Sequence, residues 1–205
     1  MSKLPLPPPP EDLRNLDPQI LEYDQALWRV HRTTSAYPAA WNGMRYFGPL
    51  RDMRFDPHPA GPPRMSAEGV LYAAGDIATA LAEVYQRTRI IDTITGTPHL
   101  SGWRPTRRLR LLDLTADWPI RAGASHAINS GRKDHCRAWA RAIRTAWPHL
   151  DGLAHDAITG QTGITLFLPA ANSLPAAPDT SRPLGDPATL RAVYPAAHHI
   201  NYRVT

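Results

Sequence analysis

Short apolar segments, each interrupted by one or two polar residues, recur along the chain and predict strands. The clearest lie at residues 26–31, 70–73, 108–115, 163–168 and 200–204, where β-branched, aromatic and leucine residues are concentrated. In the first of them Leu27, Trp28 and Val30 are apolar, and Arg29 points to one side. The segments are short enough to predict a sheet of small strands.

A helical spacing of apolar residues follows the second predicted strand and extends to about residue 87. Asp76 is in place to cap this helix, and its predicted buried face is formed by Ile77, Ala80, Leu81, Val84 and Thr88. Glu83 lies well off that face. We therefore expect a solvent-facing carboxylate on an otherwise packed helix.

A second helix is predicted before Pro148, which would end it. Ser130 or Asp134 could cap its start. The predicted buried stripe consists of Cys136, Trp139, Ala140, Ile143 and Trp147, and a basic stripe beside it consists of Arg137, Arg141 and Arg144. That basic stripe is typical of a solvated helix face or a docking face for an acidic partner. Binding of a nucleic-acid backbone is the alternative.

Proline distribution divides the chain. Residues 1–16 are predicted to form a proline-rich, extended tail, and residues 17–205 a single domain. Residues 35–63 are rich in proline, glycine and aromatic side chains, which favours one long, irregular and functional loop. The few helices and several short strands indicate an α+β fold.

Composition narrows the class of protein. The 205 residues carry a formal charge of +5, and arginine supplies nearly all the positive charge because Lys3 and Lys133 are the only lysines. Such a balance suits a phosphate-bearing ligand, nucleic acid or an acidic partner. We find no apolar run long enough for a membrane span and no secretory signal, so we expect a cytoplasmic protein.

Several kinds of site are not supported by the sequence. Cys136 is the single cysteine, so neither an intrachain disulfide nor a cysteine-based metal site is expected. The nine histidines lack metal-ligand spacing, and we expect no metal. The glycine patterns of phosphate-binding loops and of hydrolase nucleophile elbows are absent from the sequence.

Three polar residues within or beside apolar segments are candidates for chemistry. Arg29 in a half-buried strand needs an anionic partner, which is either a ligand or an internal carboxylate. Tyr72 at a strand end could stack on a ring or bind a phosphate, or be a core tyrosine with a satisfied hydroxyl. Glu83 could stabilise an oxocarbenium-like transition state, or be a solvated helix residue.

The order of these segments resembles the RES domain family. The resemblance is carried by Leu-Trp-Arg-Val-His at 27–31, Arg-Phe-Asp-Pro at 54–57, Leu-Tyr-Ala-Ala at 71–74 with the helix that follows, and Leu-Leu-Asp-Leu-Thr at 111–115. It covers about residues 28–168. It implies an ADP-ribosyltransferase-like fold and a bacterial toxin that degrades NAD⁺ by hydrolysis or phosphorolysis, with a helix-turn-helix antitoxin as partner.

The resemblance also implies roles for individual residues. Arg29 and Arg54 would bind the diphosphate of NAD⁺, and Tyr72 would pack against the nicotinamide ribose or ring. Glu83 would hold a ribose hydroxyl and stabilise the developing cation, before water or inorganic phosphate attacks. No cofactor is implied, since NAD⁺ is the substrate. DNA would be contacted only through the antitoxin, and the oligomeric state is left open.

The serine of the RES family has no clear counterpart. Its place near the second helix reads Lys133-Asp134-His135, with Ser130 nearby, so Ser130 and Asp134 are candidate substrate-binding residues. A second place, after Gly152-Leu153, reads Ala-His-Asp-Ala at 154–157. Two alternatives therefore stay open beside an NAD⁺-degrading enzyme: an ADP-ribosyltransferase acting on a macromolecule, and a non-catalytic RES-like binding module.

Overall fold

The computed structural model describes residues 6–205, and a mixed sheet is its main feature. The strands are β1 (Ile20–Tyr23), β2 (Leu27–Arg32), β3 (Arg45–Gly48), β4 (Arg64–Ala74), β5 (Ile90–Ile91), β6 (Pro98–Trp103), β7 (Leu109–Asp113), β8 (Gly152–Asp156), β9 (Thr162–Phe167), β10 (Thr180–Pro183) and β11 (Arg203–Val204). The helices are α1 (Ile77–Tyr85), α2 (Trp118–Arg121), α3 (Lys133–Ala146) and α4 (Pro187–His199). The α+β class predicted from the sequence is confirmed.

The main sheet has the strand order β1-β7-β8-β9-β4-β2-β6-β10, and β3 also pairs with β4. Its neighbours are antiparallel except for β7 and β8, which are parallel. β5 and β11 form a separate parallel pair. The central strands β9, β4 and β2 therefore come from distant parts of the chain.

Apolar side chains cover both faces of the sheet, because residues alternate between the faces along each strand. On one face, Leu112, Leu153 and Phe167 pack against α3 at one end. At the other end of that face, Val30 and Leu100 pack beneath α1 and α4. The opposite face is filled by a third cluster that includes Leu27, Leu71, Trp103, Leu111, Ile164 and Leu166.

Several predicted strands differ in extent from the observed ones. The strand predicted at 70–73 is the end of β4, which starts at Arg64 because β3 pairs with its first half. The segment 35–63 was expected to lack regular structure, and that expectation is wrong at β3. The last strand is reduced to Arg203 and Val204, and α4 precedes it without having been predicted.

The cap of α1 is confirmed, and its predicted buried face is partly wrong. The Asp76 carboxylate accepts a hydrogen bond from the Thr79 amide at 2.8 Å. The buried residues are Thr79, Ala80, Leu81, Ala82 and Tyr85. Val84 is 43% exposed, because the helix is rotated so that Thr79 and Tyr85 face inward.

The buried stripe of α3 is confirmed at Cys136, Trp139, Ala140 and Ile143. Trp147 lies just beyond the helix and is half-buried. The predicted caps are wrong. The residue before the helix is Arg132, which makes no side-chain cap, while Asp134 already lies in the first turn.

The proline-rich start of the chain packs against the domain wherever the structure describes it. Leu6 and Leu13 are buried in the cluster around α3. The Trp139 indole donates a hydrogen bond to the Pro7 carbonyl at 2.8 Å. Residues 1–5 of the predicted tail lie outside the described residues, and the domain boundary at residue 17 stays a prediction.

None of the helices within residues 6–205 is both long enough and apolar enough to cross a bilayer.

Candidate functional site

The sheet is interrupted beside the middle of β4. On one side of β4, β3 pairs at Val70 and β2 pairs at Ala74, with Arg45 and Trp28 as the opposite residues. Residues 71–73 have no strand partner on that side among the described residues. We call this interruption the central gap. It matters because backbone without a strand partner can offer its hydrogen-bonding groups to a ligand.

Arg29 flanks the central gap from β2, one residue beyond Trp28. Its Nη1 donates hydrogen bonds to the carbonyls of Ala40, Trp41 and Gly43, at 3.0, 3.1 and 3.2 Å. The internal carboxylate considered from the sequence is not there, since no ion pair of Arg29 occurs within residues 6–205. Burial and the nearby charge of Arg45 lower the pKa of Arg29 to about 10. Arg29 is therefore a cation with no counter-ion in the described part of the chain.

Arg45 flanks the central gap from β3 and is neutralised by Asp56. The Arg45 Nη2 lies 2.5 Å from Asp56 Oδ1, and the carboxylate is fully buried. Asp56 Oδ2 accepts a hydrogen bond from the Leu50 amide at 2.8 Å. Asp56 thereby ties β3 to both ends of the loop at 49–56.

Tyr72 also binds Asp56. Its hydroxyl donates a hydrogen bond to Asp56 Oδ1 at 2.7 Å. Burial, followed by the Asp56 charge and this hydrogen bond, raises the pKa of Tyr72 well above its usual value. The Tyr72 hydroxyl is therefore satisfied within the protein, and a role of Tyr72 towards a ligand stays a prediction.

Arg54 reaches the start of α3. Its Nη1 donates to the Gly131 carbonyl at 2.6 Å and lies 3.5 Å from Cys136 Sγ. The loop that carries Arg54 is held by Arg137, whose Nη1 donates to the carbonyls of residues 50, 51 and 53 at 3.1 to 3.3 Å. The basic stripe of α3 is thus partly engaged inside the protein rather than solvated.

Polar residues on the middle strands were not identified from the sequence. The buried His155 ring contacts Thr165 Oγ1 through Nε2 at 3.1 Å, and it packs against Phe55 with the ring centroids 4.7 Å apart. Burial lowers the pKa of His155 to about 4, and the Arg54 charge adds to that effect. Thr165 pairs with Tyr72 across β9 and β4. His155 and Thr165 were not identified because each is a single polar residue within an apolar run of the sequence.

Glu83 is exposed on α1, as its position off the apolar face predicted. Its Oε1 accepts a hydrogen bond from the Ile158 amide at 3.0 Å. One turn earlier, Thr79 Oγ1 lies 2.7 Å from Thr159 Oγ1. The turn between β8 and β9 is therefore fastened to α1 beside Glu83.

The two candidate serine places differ in what they contact. Ser130 is exposed, and Asp134 is exposed and paired with Arg132 at 2.7 Å, which lowers the pKa of that carboxyl. The second place ends at Ala157, directly before the Ile158 amide that binds Glu83. The second place is thus next to the candidate glutamate, and it carries alanine.

The predicted site residues are only partly brought together. Arg54 and Tyr72 are joined through Phe55 and Asp56, because these residues lie on one loop and contact β4 and β8. Arg29 is connected to this group only through the charge of Arg45. No hydrogen bond or ion pair joins Arg29 to Glu83 within residues 6–205.

A cleft in the described chain lies away from the predicted site residues, and the described chain has no cluster suited to a metal. A cleft of about 250 Å³ is lined by Trp28, Leu100 and Arg182 with parts of α4, and none of the predicted site residues lines it. No group of three or more histidine, cysteine or acidic side chains suited to a metal occurs in residues 6–205. The cation-rich surroundings of the central gap are instead suited to an anion.

Comparison with known proteins identifies the family. A family model described as the RES domain matches residues 26–185. No curated protein matches the sequence. A solved chain from "Crystal structure of the M.tuberculosis MbcT-MbcA toxin-antitoxin complex" is similar in fold, with a TM-score of 0.56 and 17% identity over 84% of this chain and 91% of that chain.

The matched region contains β2, β4, α1 and β7, which carry the motifs that predicted the resemblance. It covers well over half of the sequence, and the resemblance is confirmed. The chain belongs to the RES domain family.

Proposed function

We propose that this protein is a bacterial toxin that cleaves the nicotinamide–ribose bond of NAD⁺ and is neutralised by a cognate antitoxin. Membership of the RES family supports the proposal. The similar fold of a chain in a toxin–antitoxin complex supports the antitoxin. The reaction would be hydrolysis or phosphorolysis.

The observation that carries the proposal is the imbalance of charge around the central gap. Arg29 and Arg45 flank the gap, and Arg54 lies on the adjoining loop, whereas Asp56 is the buried carboxylate among them. Two of the three guanidinium charges are therefore left without a carboxylate partner within residues 6–205. A diphosphate would supply two negative charges and accept bidentate hydrogen bonds.

The proposed roles follow from position. The hydrogen bonds of Arg29 within residues 6–205 all come from Nη1, so Nη2 and Nε would remain to bind phosphate oxygens. Glu83 uses one oxygen for the Ile158 amide, and its other oxygen can accept a ribose hydroxyl. Nicotinamide would leave with the electron pair of the broken bond. Water, which loses a proton to solvent, or phosphate would then form the new bond at the anomeric carbon, while the carboxylate stabilises the cation.

The test is incubation of the purified protein with NAD⁺, with and without inorganic phosphate. Free ADP-ribose without phosphate indicates hydrolysis, and ADP-ribose 1″-phosphate formed only with phosphate indicates phosphorolysis. Glu83→Ala should lower the rate by at least about 100-fold, because the loss of one electrostatic stabiliser of a transition state typically costs that much. The matched control is Glu11→Ala, an exposed carboxylate outside the matched region.

Other products would decide between the remaining functions. Intact NAD⁺ under both conditions, with Glu83→Ala no different from the parent protein, would overturn the enzyme and favour a nucleotide-binding module. Transfer of label from NAD⁺ to a protein or nucleic acid would favour an ADP-ribosyltransferase. The lack of a clear counterpart of the family serine makes the non-catalytic module the specific competitor, since the candidate place next to Glu83 has no serine.

The proposed partner is a helix-turn-helix antitoxin, and the proposed place of action is the cytoplasm. DNA would be bound through the antitoxin alone. Expression in a bacterial host should stop growth, and Glu83→Ala should restore it. A small helix-turn-helix gene next to this one, whose product also restores growth, would be the expected partner.

A further inference from the structure

Asp56 is a buried carboxylate that organises the central gap without lying in a position assigned to substrate. It accepts hydrogen bonds from the Tyr72 hydroxyl, from Arg45 and from the Leu50 amide. Its side chain is fully buried, and a buried carboxylate is costly unless its oxygens are satisfied in this way. The contacts come from β4, β3 and the loop at 49–56, so three segments are joined at one group.

The contact with Asp56 determines what Tyr72 can do. A phenol has one hydrogen to donate, and that of Tyr72 is directed at Asp56 Oδ1 over 2.7 Å. The Tyr72 oxygen then has only lone pairs to offer. It can accept a hydrogen bond from a hydroxyl group, and it has no hydrogen left for an ionised phosphate oxygen.

Arg45 keeps this arrangement at neutral charge. Its guanidinium pairs with the same oxygen that accepts the Tyr72 hydrogen. Without it, the buried carboxylate would face only the Leu50 amide, the Tyr72 hydroxyl and the ring of His58, whose Nδ1 lies 3.9 Å from Asp56 Oδ2 and whose pKa is lowered by burial. With no full positive charge beside it, the carboxylate would favour its own protonation. A protonated Asp56 could donate to Tyr72 instead of accepting from it. The pair therefore fixes the direction of the hydrogen bond.

We propose that Asp56 is a positioning residue that holds the Tyr72 hydroxyl hydrogen, so that the Tyr72 oxygen accepts a hydrogen bond from a ribose hydroxyl of the substrate. This rests on the proposed NAD⁺ reaction. It leaves the phosphate groups to Arg29 and Arg54, and it makes Tyr72 a partner of the ribose in addition to Glu83. The role of Asp56 depends on Arg45, because Arg45 keeps the Asp56 carboxylate ionised.

The kinetic test is a double-mutant cycle with Asp56→Asn, Tyr72→Phe and the double variant. Because Asp56 acts through Tyr72, the double variant should lose the same factor in kcat/KM as Tyr72→Phe, within about twofold. Losses that multiply would overturn the proposal. The matched controls are Tyr194→Phe on the exposed face of α4 and Asp117→Asn, an exposed carboxylate. Their kcat/KM should stay unchanged.

A second measurement does not depend on the reaction. Ultraviolet titration of the parent protein minus that of Tyr72→Phe isolates one phenol, which should ionise well above the ordinary pKa of about 10. In Asp56→Asn the midpoint of that phenol should fall, because the carboxylate charge is removed. An ordinary midpoint in the parent protein would overturn the proposal even if Asp56→Asn does not fold.

The two measurements separate two kinds of failure. A shifted phenol in a protein that leaves NAD⁺ intact would contradict the proposed function and the substrate hydroxyl, and it would support the Asp56–Tyr72 contact. Cleavage of NAD⁺ with an ordinary phenol midpoint would support the proposed function and contradict the role of Asp56.

Discussion

At the scale of single residues, the most informative group is a guanidinium that binds backbone instead of a carboxylate. Arg29 Nη1 contacts three carbonyl oxygens of one loop. Carbonyl groups satisfy the hydrogens of a cation without cancelling its charge. Arg29 is therefore held in place while its positive charge remains for a ligand.

Two substitutions should distinguish the structural role of Arg29, which holds the loop, from the proposed role of its charge in binding a ligand. In Arg29→Lys, the three hydrogens of the ammonium group can serve the three carbonyls, so we expect a loss of about 1 kcal/mol or less in the free energy of unfolding. Arg29→Met should lose about 2–4 kcal/mol. Both variants should raise KM for NAD⁺, since neither offers a bidentate fork. Urea unfolding and steady-state kinetics measure these effects. Equal destabilisation by the two variants would contradict a stabilising role of the Arg29 hydrogen bonds to the three carbonyls.

His155 should make stability depend on pH. Its folded pKa of about 4 lies below the ordinary value of about 6.5, so between these values the unfolded chain takes up a proton that the folded protein does not. Stability is therefore present above pH 6.5 and is lost as the pH falls towards 4. Between pH 7.5 and 5 the loss from this residue should be about 2 kcal/mol in the free energy of unfolding.

Comparing variants isolates the contribution of His155. His155→Gln should reduce the pH-dependent loss by about 2 kcal/mol, whereas the exposed His199→Gln should leave it unchanged. Urea unfolding at pH 7.5 and pH 5 provides the measurement. His31 is a second buried histidine whose pKa burial lowers to about 4, so a residual loss is expected in the variant. An identical pH profile in His155→Gln would show that His155 is not held neutral.

The residue scale also shows what the sequence could and could not predict. Arg29, Tyr72 and Glu83 were identifiable because each is polar in an apolar segment of a known order. Asp56 and Arg45 were not, since their importance comes from a contact between β3 and the following loop. Such a contact has no local pattern.

At the scale of elements, the loop at 49–56 is held from outside by α3. Arg137 donates to the carbonyls of Leu50, Arg51 and Met53, and Lys133 Nζ donates to the Asp52 carbonyl at 2.6 Å. The same loop carries Arg54 and Asp56. The position of α3 therefore sets the position of two candidate site residues.

Removing the Arg137 hydrogen bonds should make the loop at 49–56 more mobile. Arg137→Ala should increase cleavage by trypsin after Arg51 and Arg54 by about tenfold or more, since about 1.4 kcal/mol of lost restraint is a tenfold change in the open population. The matched control is Arg141→Ala, one turn along α3, because Arg141 makes no hydrogen bond or ion pair within residues 6–205. Limited proteolysis with mass spectrometry identifies the cut sites. Equal cleavage in the two variants would show that the Arg137 hydrogen bonds do not restrain the loop.

Elements with a clear period were predictable, and those that depend on partners were not. α3 has a full apolar stripe, and its buried residues were predicted correctly apart from its end. β6 contains a proline, a histidine and a glycine, and it is a strand because it pairs with both β2 and β10. α4 was not predicted because it contains Pro195, and proline usually interrupts a helix.

At the scale of the whole molecule, the first described residues belong to the core although the family match begins at residue 26. Leu6 and Leu13 are 4% and 2% exposed. Arg14 donates to the Thr145 carbonyl at 3.0 Å, near the end of α3. The start of the chain thus braces the outer side of the helix that holds the site loop.

Deleting residues 1–16 should therefore destabilise the protein. Loss of two buried leucines and the Trp139 hydrogen bond predicts a decrease of about 4–6 kcal/mol in the free energy of unfolding. Tryptophan emission should shift to the red as Trp139 becomes accessible. Urea unfolding followed by fluorescence checks both effects. Unchanged stability would show that the domain is complete from residue 17.

The central gap could not be predicted from the sequence, although each strand around it could be partly located. It exists because β2 and β3, which are separated by the loop at 33–44, pair with different parts of β4. Periodicity predicts which residues form a strand, and it carries no information on where two partners stop. The fold class was accessible from local patterns, and the candidate site needed the pairing.

The way in which this region is fastened has a consequence for its evolution. Arg29 donates hydrogen bonds to residues 40, 41 and 43, and Arg137 donates to residues 50, 51 and 53. In each case the acceptors are main-chain oxygens, which every amino acid possesses. The side chains at most of these positions are therefore free to drift without releasing the segment. Natural variants should diversify there while both arginines are retained, which lets the surface around the gap adapt to new partners at little cost to the fold.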